Sequence, residues 1–341
     1  MTEKQISFDR EAFLNDMRAS VEMIDKAVNL GEVFASAGME RLLLVGCGAP
    51  HYMFRAINTW IGSVCKADHI IDIYPVELAQ ARYTPDAKTG VVFGSHSGKT
   101  AETVHAAESL QAEKCMTAAI TQRADSALGQ NAQHVLAYGA TQQGYFSAVM
   151  LTLAMVSGYL AKTSPDWDLH DALLSSLPYL PKALADAKET TMAEGIHNAE
   201  VLQEKTSLYV VGNGPMYTTA YVFSACFLME MQRMNAHPIK TLDFFHGPFE
   251  LLDASSPVIL LMGEGIFRAE DERARAFYEK YLSGCLTYDS ASFDMAGIDP
   301  RVRPIAAPFA VDAALTNVVE QLAILREHPL DIRRYMGKVA Y

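Results

Sequence analysis

A glycine turn follows an apolar run in Arg41-Leu42-Leu43-Leu44-Val45-Gly46-Cys47-Gly48-Ala49-Pro50. An unbroken apolar run of this length is typical of a strand that is covered on both faces, as in a parallel sheet. The turn leads into an apolar helical pattern, so the segment predicts a strand–turn–helix unit. The same order returns at residues 207–216, which read SLYVVGNGPM. We interpret the repeat as a duplication of one α/β unit of roughly 130–150 residues.

Other strand-like runs extend this pattern on both sides of the repeat. They lie at residues 69–74, 90–94, 116–120, 134–138, 257–262 and 284–288, and helical patterns are expected at 7–30, 269–281 and 311–327. Strands that alternate with helices favour parallel sheets covered by helices on both faces. The sequence therefore predicts an α/β protein with an N-terminal helix (1–36), a first domain (37–165), a helical connector (166–200) and a second domain with a C-terminal tail (201–341).

Composition excludes several classes of protein. The 341 residues are 50% hydrophobic and 20% charged, which is typical of a folded globular chain. The net charge is -12 without any Lys/Arg-rich run, so we expect no nucleic-acid partner. We expect no signal peptide and no apolar window long enough to cross a bilayer, hence no membrane partner. The five cysteines are scattered without a CxxC pair, which indicates a reduced, cytoplasmic protein.

The loop GSHSGKT at residues 94–100 follows one predicted strand and precedes a helix. This position gathers backbone amides and the positive end of a helix dipole. Ser95, Ser97 and Thr100 add hydroxyl groups, and Gly98 permits a tight turn. The pattern predicts a site for a phosphate monoester, although an ordinary hydroxyl-capped helix has the same residues.

Cofactor motifs are incomplete in this sequence. A P-loop requires glycine at position 93, which is Phe, and a dinucleotide fingerprint requires glycine at position 51, which is His. The sequence also contains no H-E-x-x-H motif and no Cys/His cluster. We therefore predict neither a cofactor nor a metal site.

Two ionisable residues in the second half are candidates for proton transfer. Glu230 lies in the apolar helical segment 227–232, and a buried carboxyl group near few charges suits a general acid or base. His246 begins a turn with Gly247 and Pro248, from which an imidazole can reach a site. The alternatives are an ion-paired glutamate and a structural histidine, and residue type alone leaves them open.

The C-terminal segment 328–341 is rich in charged and aromatic residues. Such a segment is commonly a solvated tail. Its apolar residues favour docking instead, and docking would let Lys338 enter a site as a cation.

Taken together, the S-x-S-G-x-T loop, the duplicated halves and the H-G-P turn resemble the sugar isomerase (SIS) domain proteins, which include the isomerase half of glucosamine-6-phosphate synthase. The resemblance implies two tandem SIS domains, each a flavodoxin-like, doubly wound sheet. It implies that Ser95, His96, Ser97 and Thr100 hold a sugar phosphate. The family's catalytic Glu and ring-opening His lie sixteen positions apart, as do Glu230 and His246.

Further substrate contacts follow from the same resemblance. It implies contacts to the substrate from Gly48 and Ala49 in the first turn, from Asp243 before the histidine turn, and from Lys338 in the tail. The synthase has a lysine three positions before its glutamate, where this chain has Phe227. This difference favours a reaction other than that of the synthase.

Within the family, the chain is most similar to deglycases of phosphorylated sugar–amino acid adducts, such as those of fructose-asparagine, fructoselysine or glucoselysine 6-phosphate. The similarity is carried by residues 229–232, 244–250, 271–274 and 333–341. It implies cleavage of an Amadori or Heyns adduct to a hexose 6-phosphate and an amino acid. It also implies a homodimer or higher oligomer whose active site is shared between subunits.

Two other functions are compatible with these residues. A sugar-phosphate isomerase or amino-sugar-6-phosphate deaminase would use the same Glu230 and His246. A non-catalytic sugar-phosphate sensor would carry a DNA-binding helix-turn-helix, for which residues 1–40 are too short and too acidic.

Overall fold

The first of two parallel sheets in the computed structural model, which describes residues 5–339, has the strand order β2-β1-β3-β4-β5. Its strands are β1 (Arg41–Gly46), β2 (Ile70–Ile73), β3 (Thr89–Ser95), β4 (Met116–Thr121) and β5 (His134–Ala137). Leu43 of β1 pairs with Ile71 on one side and with Val91 on the other. All of β3 is buried, because helices cover both faces of the sheet.

The helices of the first half of the chain cover this sheet. They are α1 (Arg10–Glu22), α2 (Ile24–Ser36), α3 (Ala49–Val64), α4 (Ala101–Ser109), α5 (Ala127–Gln130), α6 (Gly144–Thr163) and α7 (His170–Ser176), with 3-10 turns at Pro75–Ala79 and Leu177–Tyr179. The single helix predicted at 7–30 is divided into α1 and α2 at Met23. α2 packs closely on α6, since a Cβ on Gly31 would lie 1.9 Å from the Met155 carbonyl oxygen.

The second sheet repeats the strand order of the first. Its order is β7-β6-β8-β9, with β6 (Leu208–Gly212), β7 (Ala236–Lys240), β8 (Val258–Met262) and β9 (Cys285–Asp289). The parallel α/β fold predicted from the sequence is therefore confirmed. The sequence analysis missed β7, which contains Pro238. Proline is tolerated in this strand because β7 lies at the edge of the sheet.

Helices of the second half cover this sheet. They are α8 (Leu180–Thr190), α9 (Met192–Leu202), α10 (Pro215–Val222), α11 (Thr241–Phe244), α12 (Arg268–Tyr281) and α13 (Arg303–Leu325), with 3-10 turns at Pro248–Leu251 and Ser290–Ser292. α10 does not run on as one α-helix, because a π-helical segment follows at Phe223–Met231. The Gln232 amide donates to the Phe227 carbonyl at 3.0 Å, five residues back. π-helical insertions are frequent at functional sites.

The chain forms two compact units. The first contains Glu11–Lys182 and Ala296–Arg303, and the second contains Ala183–Met295, the residues from Pro304 onward and the N-terminal segment up to Arg10. The predicted connector 166–200 contributes α7 to the first unit and α9 to the second. The domain boundaries drawn from the sequence stay a prediction.

Among residues 5–339, two helices are long and apolar enough to cross a membrane, contrary to the expectation from the sequence. They are α6 and α13, and 83% and 72% of their apolar windows are buried within the fold. A helix that is hydrophobic on all sides is also what the core of a large globular protein contains. The burial of both helices is consistent with that role.

The carboxylate of Asp16 in α1 caps the N-terminus of α6. It accepts hydrogen bonds from the backbone amides of Thr141 at 3.0 Å, Gln142 at 2.8 Å and Gln143 at 2.7 Å. Partial burial opposes ionisation, but these backbone hydrogen bonds outweigh it and lower the pKa of Asp16 below its usual value. A carboxyl group whose pKa is lower in the folded state stabilises the fold above its unfolded pKa.

We expect Asp16→Asn to lower the free energy of unfolding by about 1–2 kcal/mol at neutral pH, since charge-assisted hydrogen bonds are lost. The difference from the wild type should shrink as pH falls below about 3.9 and through the lowered folded pKa. Urea unfolding at pH 7 and pH 3 measures both quantities. Glu108→Gln, an exposed carboxylate of α4, is the control. An equal loss in both variants, or a loss that does not change with pH, would contradict the capping role.

Candidate active site

The carboxyl edge of the first sheet contains a reversal of strand order. β1 lies between β2 and β3, so the chain leaves β1 toward β2 and leaves β3 toward β4 in opposite directions. In open α/β sheets, ligands bind in the crevice outside the carboxyl ends of strands at such a reversal. The turn at Gly48 and the loop 94–100 both begin at this edge.

A cavity of about 230 Å³ lies at this edge. Ala49, Ser95 and His96 line it, together with Tyr138 and Thr141. Thr100 is close to this group, because its hydroxyl lies 3.0 Å from that of Ser95. Gly48 precedes Ala49 at the cap of α3, and Ser97 is exposed in the same loop as Ser95. The structure thus brings the predicted phosphate-binding residues and the first glycine turn to one region.

The geometry of loop 94–100 depends on Gly98. Its φ is +61°, and a Cβ there would lie 2.2 Å from the Ser126 hydroxyl oxygen. The carbonyl of Gly98 accepts from the Leu128 amide at 2.9 Å, and the Ser97 hydroxyl accepts from the Lys99 amide at 3.2 Å. These contacts hold the loop directly before α4, where the first-turn amides have no acceptor within the helix. An anion at this position would meet both hydroxyl and amide donors.

His96 is fixed by Tyr138. Its Nδ1 lies 2.9 Å from the Tyr138 hydroxyl, and the two rings stack at 6.0 Å between centroids. Desolvation lowers the pKa of His96, so the imidazole is neutral at pH 7. When Tyr138 donates to Nδ1, the proton of the imidazole is on Nε2. His96 can then donate a hydrogen bond to a phosphate oxygen.

A second and larger cavity, of about 640 Å³, surrounds Glu230 in the other unit. Glu230 lies near the end of the π-helical segment, and its Oε1 accepts from Arg333 Nε at 2.8 Å. The side chains of Arg333 and Glu230 are only 18% and 25% exposed. The sequence analysis left open whether Glu230 is ion-paired, and the structure pairs it with Arg333, 103 positions away along the chain.

The C-terminal tail forms one wall of this cavity. Its residues Arg333, Arg334, Tyr335 and Met336 line the cavity together with Glu230. The contact with Glu230 holds Arg333, but the apolar residues expected to dock are exposed, Tyr335 by 62% and Met336 by 50%, so that expectation was wrong for them. Lys338 is exposed, its backbone amide donates to the Tyr335 carbonyl at 2.8 Å, and its side chain does not line the cavity. Its role in binding stays a prediction.

His246 and Asp243 lie in a separate exposed turn. The His246 amide donates to the Asp243 carbonyl at 3.0 Å, and neither residue lines the cavity around Glu230. The described part of one chain thus does not join His246 to Glu230 by a hydrogen bond or an ion pair. Both roles stay predictions.

The histidine turn is anchored from its buried side. The Thr241 hydroxyl donates to Asp271 at 2.7 Å, and Asp271 also accepts from the Gly263 amide at 3.3 Å. Burial raises the pKa of Asp271 to about 6. Phe244 is fully buried against the rings of Phe249, Phe277 and Tyr278. The turn is held rigidly while the His246 side chain remains exposed.

Sequence reasoning missed two features of the sites. The arginines at the second cavity were not identified, although the Arg333-Arg334 pair in an otherwise acidic chain was a usable signal. Tyr138, the partner of His96, ends a predicted strand and carried no motif. Within residues 5–339, no group of three or more His, Cys, Asp or Glu side chains is placed to hold a metal ion.

Comparison with known proteins agrees with this architecture. A family model described as the SIS domain matches residues 77–162. Fructosamine deglycase FrlB of Bacillus subtilis (strain 168) is 32% identical over 89% of this chain and 93% of that protein. Fructoselysine 6-phosphate deglycase of Escherichia coli O157:H7 is 26% identical over 90% of this chain and 88% of that protein.

A solved structure has the same fold throughout. A crystal structure from Bacillus subtilis, assigned as a phosphosugar isomerase, matches with a TM-score of 0.85 at 28% identity, covering 94% of this chain and 99% of that one. The fold and the similarity of sequence along most of the chain lead to one conclusion. The chain belongs to the SIS domain family.

Proposed function

We propose that this protein is a deglycase that cleaves a 6-phosphorylated sugar–amino acid adduct to a hexose 6-phosphate and a free amino acid. The observation that carries the proposal is the position of Glu230, a carboxylate held by Arg333 in the wall of a cavity of about 640 Å³. The names of the two deglycases to which the chain is similar support this reaction. We further propose that the enzyme is cytoplasmic.

The loop 94–100 would bind the phosphate of the substrate. Ser95, Ser97 and Thr100 supply hydroxyl donors, His96 supplies an imidazole N–H, and the N-terminus of α4 supplies backbone amides. Such a set can bind a phosphate dianion through hydrogen bonds and the helix dipole. It fixes one end of the sugar and leaves the carbons near the amine free to react.

The chemical steps require one proton shuttle and one base. His246 would open the sugar ring by moving a proton between the ring oxygen and the anomeric hydroxyl. For an Amadori adduct, Glu230 would remove a proton from C1, beside the carbonyl, and the resulting enaminol would take that proton back at C2. This gives an imine at C1, and water hydrolyses the imine to the hexose 6-phosphate and the amine. In a Heyns adduct the roles of C1 and C2 would be exchanged, and hydrolysis of the imine at C2 would give fructose 6-phosphate.

The exposure of His246 supports an active site shared between two subunits. Leu242 and Leu251, on either side of the histidine turn, are 49% and 67% exposed. Exposed apolar side chains beside an ionisable group suit an interface between copies of the chain. We propose a homodimer, or a higher oligomer built from it, in which His246 acts on the substrate held by the neighbouring subunit.

The first test is product release from a panel of 6-phosphorylated sugar–amino acids. We expect Glu230→Gln to lower kcat by about 100-fold or more and His246→Ala by a similar factor, since each removes a proton-transfer group. Amino acid and hexose 6-phosphate are measured separately. Turnover of free hexose or hexosamine phosphates without release of an amino acid would favour the isomerase or deaminase alternative. Binding without turnover would favour the sensor.

A second test concerns the phosphate loop. We expect Ser97→Ala to raise KM for a phosphorylated adduct by about tenfold, because a hydrogen bond to a charged group is lost. The same variant should leave turnover of the unphosphorylated adduct unchanged. Ser109→Ala, at the far end of α4, is the matched control. An equal effect on both substrates would show that this loop does not bind the phosphate.

A third test concerns the shared site. Glu230→Gln and His246→Ala chains are co-expressed with different tags, and doubly tagged protein is compared with each variant alone. The doubly tagged dimer should have about half of the wild-type activity, because one of its two sites is intact, and the unfractionated co-expressed protein should have about a quarter, because about half of its dimers are mixed. Activity no higher than that of either variant would show that both residues act from the same chain.

A further inference from the structure

The cavity around Glu230 has an excess of positive charge. Three arginines, Arg233, Arg333 and Arg334, line it, against the single carboxylate of Glu230. Arg333 is paired with that carboxylate at 2.8 Å. Neither Arg233 nor Arg334 forms an ion pair or a side-chain hydrogen bond with any residue of the described range 5–339. Two exposed arginines without an ion-pair partner in this range therefore line the cavity, in a chain whose net charge is -12.

The backbone of Arg233 is unusual for its residue type. Its φ is +53°, in the left-handed region that favours glycine. It follows Gln232, the residue that caps the π-helical segment, and the next amide, of Met234, donates to the Leu228 carbonyl at 2.8 Å. Glycine or asparagine is the usual residue in this conformation after a helix. A left-handed arginine at a cavity points to a function for its side chain.

The chemistry of the proposed substrate places a carboxylate near the base. In an adduct formed through the α-amine of an amino acid, the carboxylate carbon is three bonds from the sugar C1 that Glu230 deprotonates. Three bonds span about 4 Å, the distance between consecutive Cα atoms. A group that binds this carboxylate must therefore lie in the same cavity as the base. Guanidinium groups bind carboxylates through two parallel hydrogen bonds and are suited to this task.

We propose that Arg233 and Arg334 bind the α-carboxylate of the amino-acid part of the substrate, while Arg333 holds Glu230. This inference rests on the proposed deglycase function and assigns its amino-acid subsite. Met229, Met234 and Met336 provide apolar surface in the same cavity for the side chain of the amino acid. Flexible methionines accommodate side chains of different shape.

The test compares two adducts of fructose 6-phosphate that differ only in the carboxylate, those of glycine and of methylamine. We expect the wild type to have a kcat/KM about 10- to 100-fold higher for the glycine adduct, since hydrogen bonds to charged groups contribute that much. Arg334→Gln and Arg233→Gly should each lower kcat/KM for the glycine adduct by about tenfold or more. Both should leave the methylamine adduct within about twofold of the wild type.

The choice of Arg233→Gly separates binding from folding. Glycine suits the left-handed conformation, so this variant should unfold at a temperature at least as high as the wild type while it loses the carboxylate preference. Arg334→Lys, which keeps the charge, should retain part of the preference. Arg82→Gln is the control, because Arg82 is exposed, stacks on Tyr83 and does not line this cavity.

Two results would overturn the inference and leave the proposed function standing. One is a wild type that cleaves both adducts with the same kcat/KM, and the other is a pair of variants that lower both reactions equally. A wild type that cleaves neither these adducts nor any in the broader panel would reject the proposed function, and the inference with it.

Discussion

The reversal of strand order beside β1 is the constraint on which the first half of the molecule depends. Right-handed crossover connections place the helices that follow β1 and β3 on opposite faces of the sheet. The carboxyl ends of these two strands are therefore left uncovered, side by side. Helix α3 packs closely against the end of β3, since a Cβ on Gly94 would lie 2.7 Å from the Phe54 ring of α3. The cavity at Ser95 and His96 is a consequence of topology, and the loop residues decide what it binds.

The second sheet has the same topology, but different side chains lie beside its glycine turn. Gly214 has a φ of +50° at the cap of α10, as Gly48 has +58° at the cap of α3. In the second sheet, however, a Cβ at Gly214 would lie 2.2 Å from the ring of Phe267. Phe267 thus occupies the place beside this turn. The second unit instead carries its candidate chemistry on the π-helical segment and the tail, which have no counterpart in the repeated pattern.

The sequence predicts features that depend on short-range patterns and misses those that depend on long-range contacts. Apolar runs predicted every described strand except β7, whose apolar pattern is interrupted by a proline and a histidine. The glycine turns indicated the duplication. Loop 94–100 could be assigned because its hydroxyls, glycine and helix are adjacent in the chain. The pair of Glu230 with Arg333 joins residues 103 positions apart, so no local pattern encodes it. The change from α to π geometry after Val222 likewise has no local pattern in the sequence that predicts it.

The pair between Glu230 and Arg333 is better explained by chemistry than by stability. Partly exposed ion pairs contribute little to the free energy of unfolding, because solvent screens them and two long side chains must be ordered. The same pair has two other effects here. It fixes the direction in which the carboxylate points, and it fastens the tail across the cavity, since Arg333 and the next three residues form one wall. The carboxylate that we propose as the base is thus oriented by the same segment that lines its cavity.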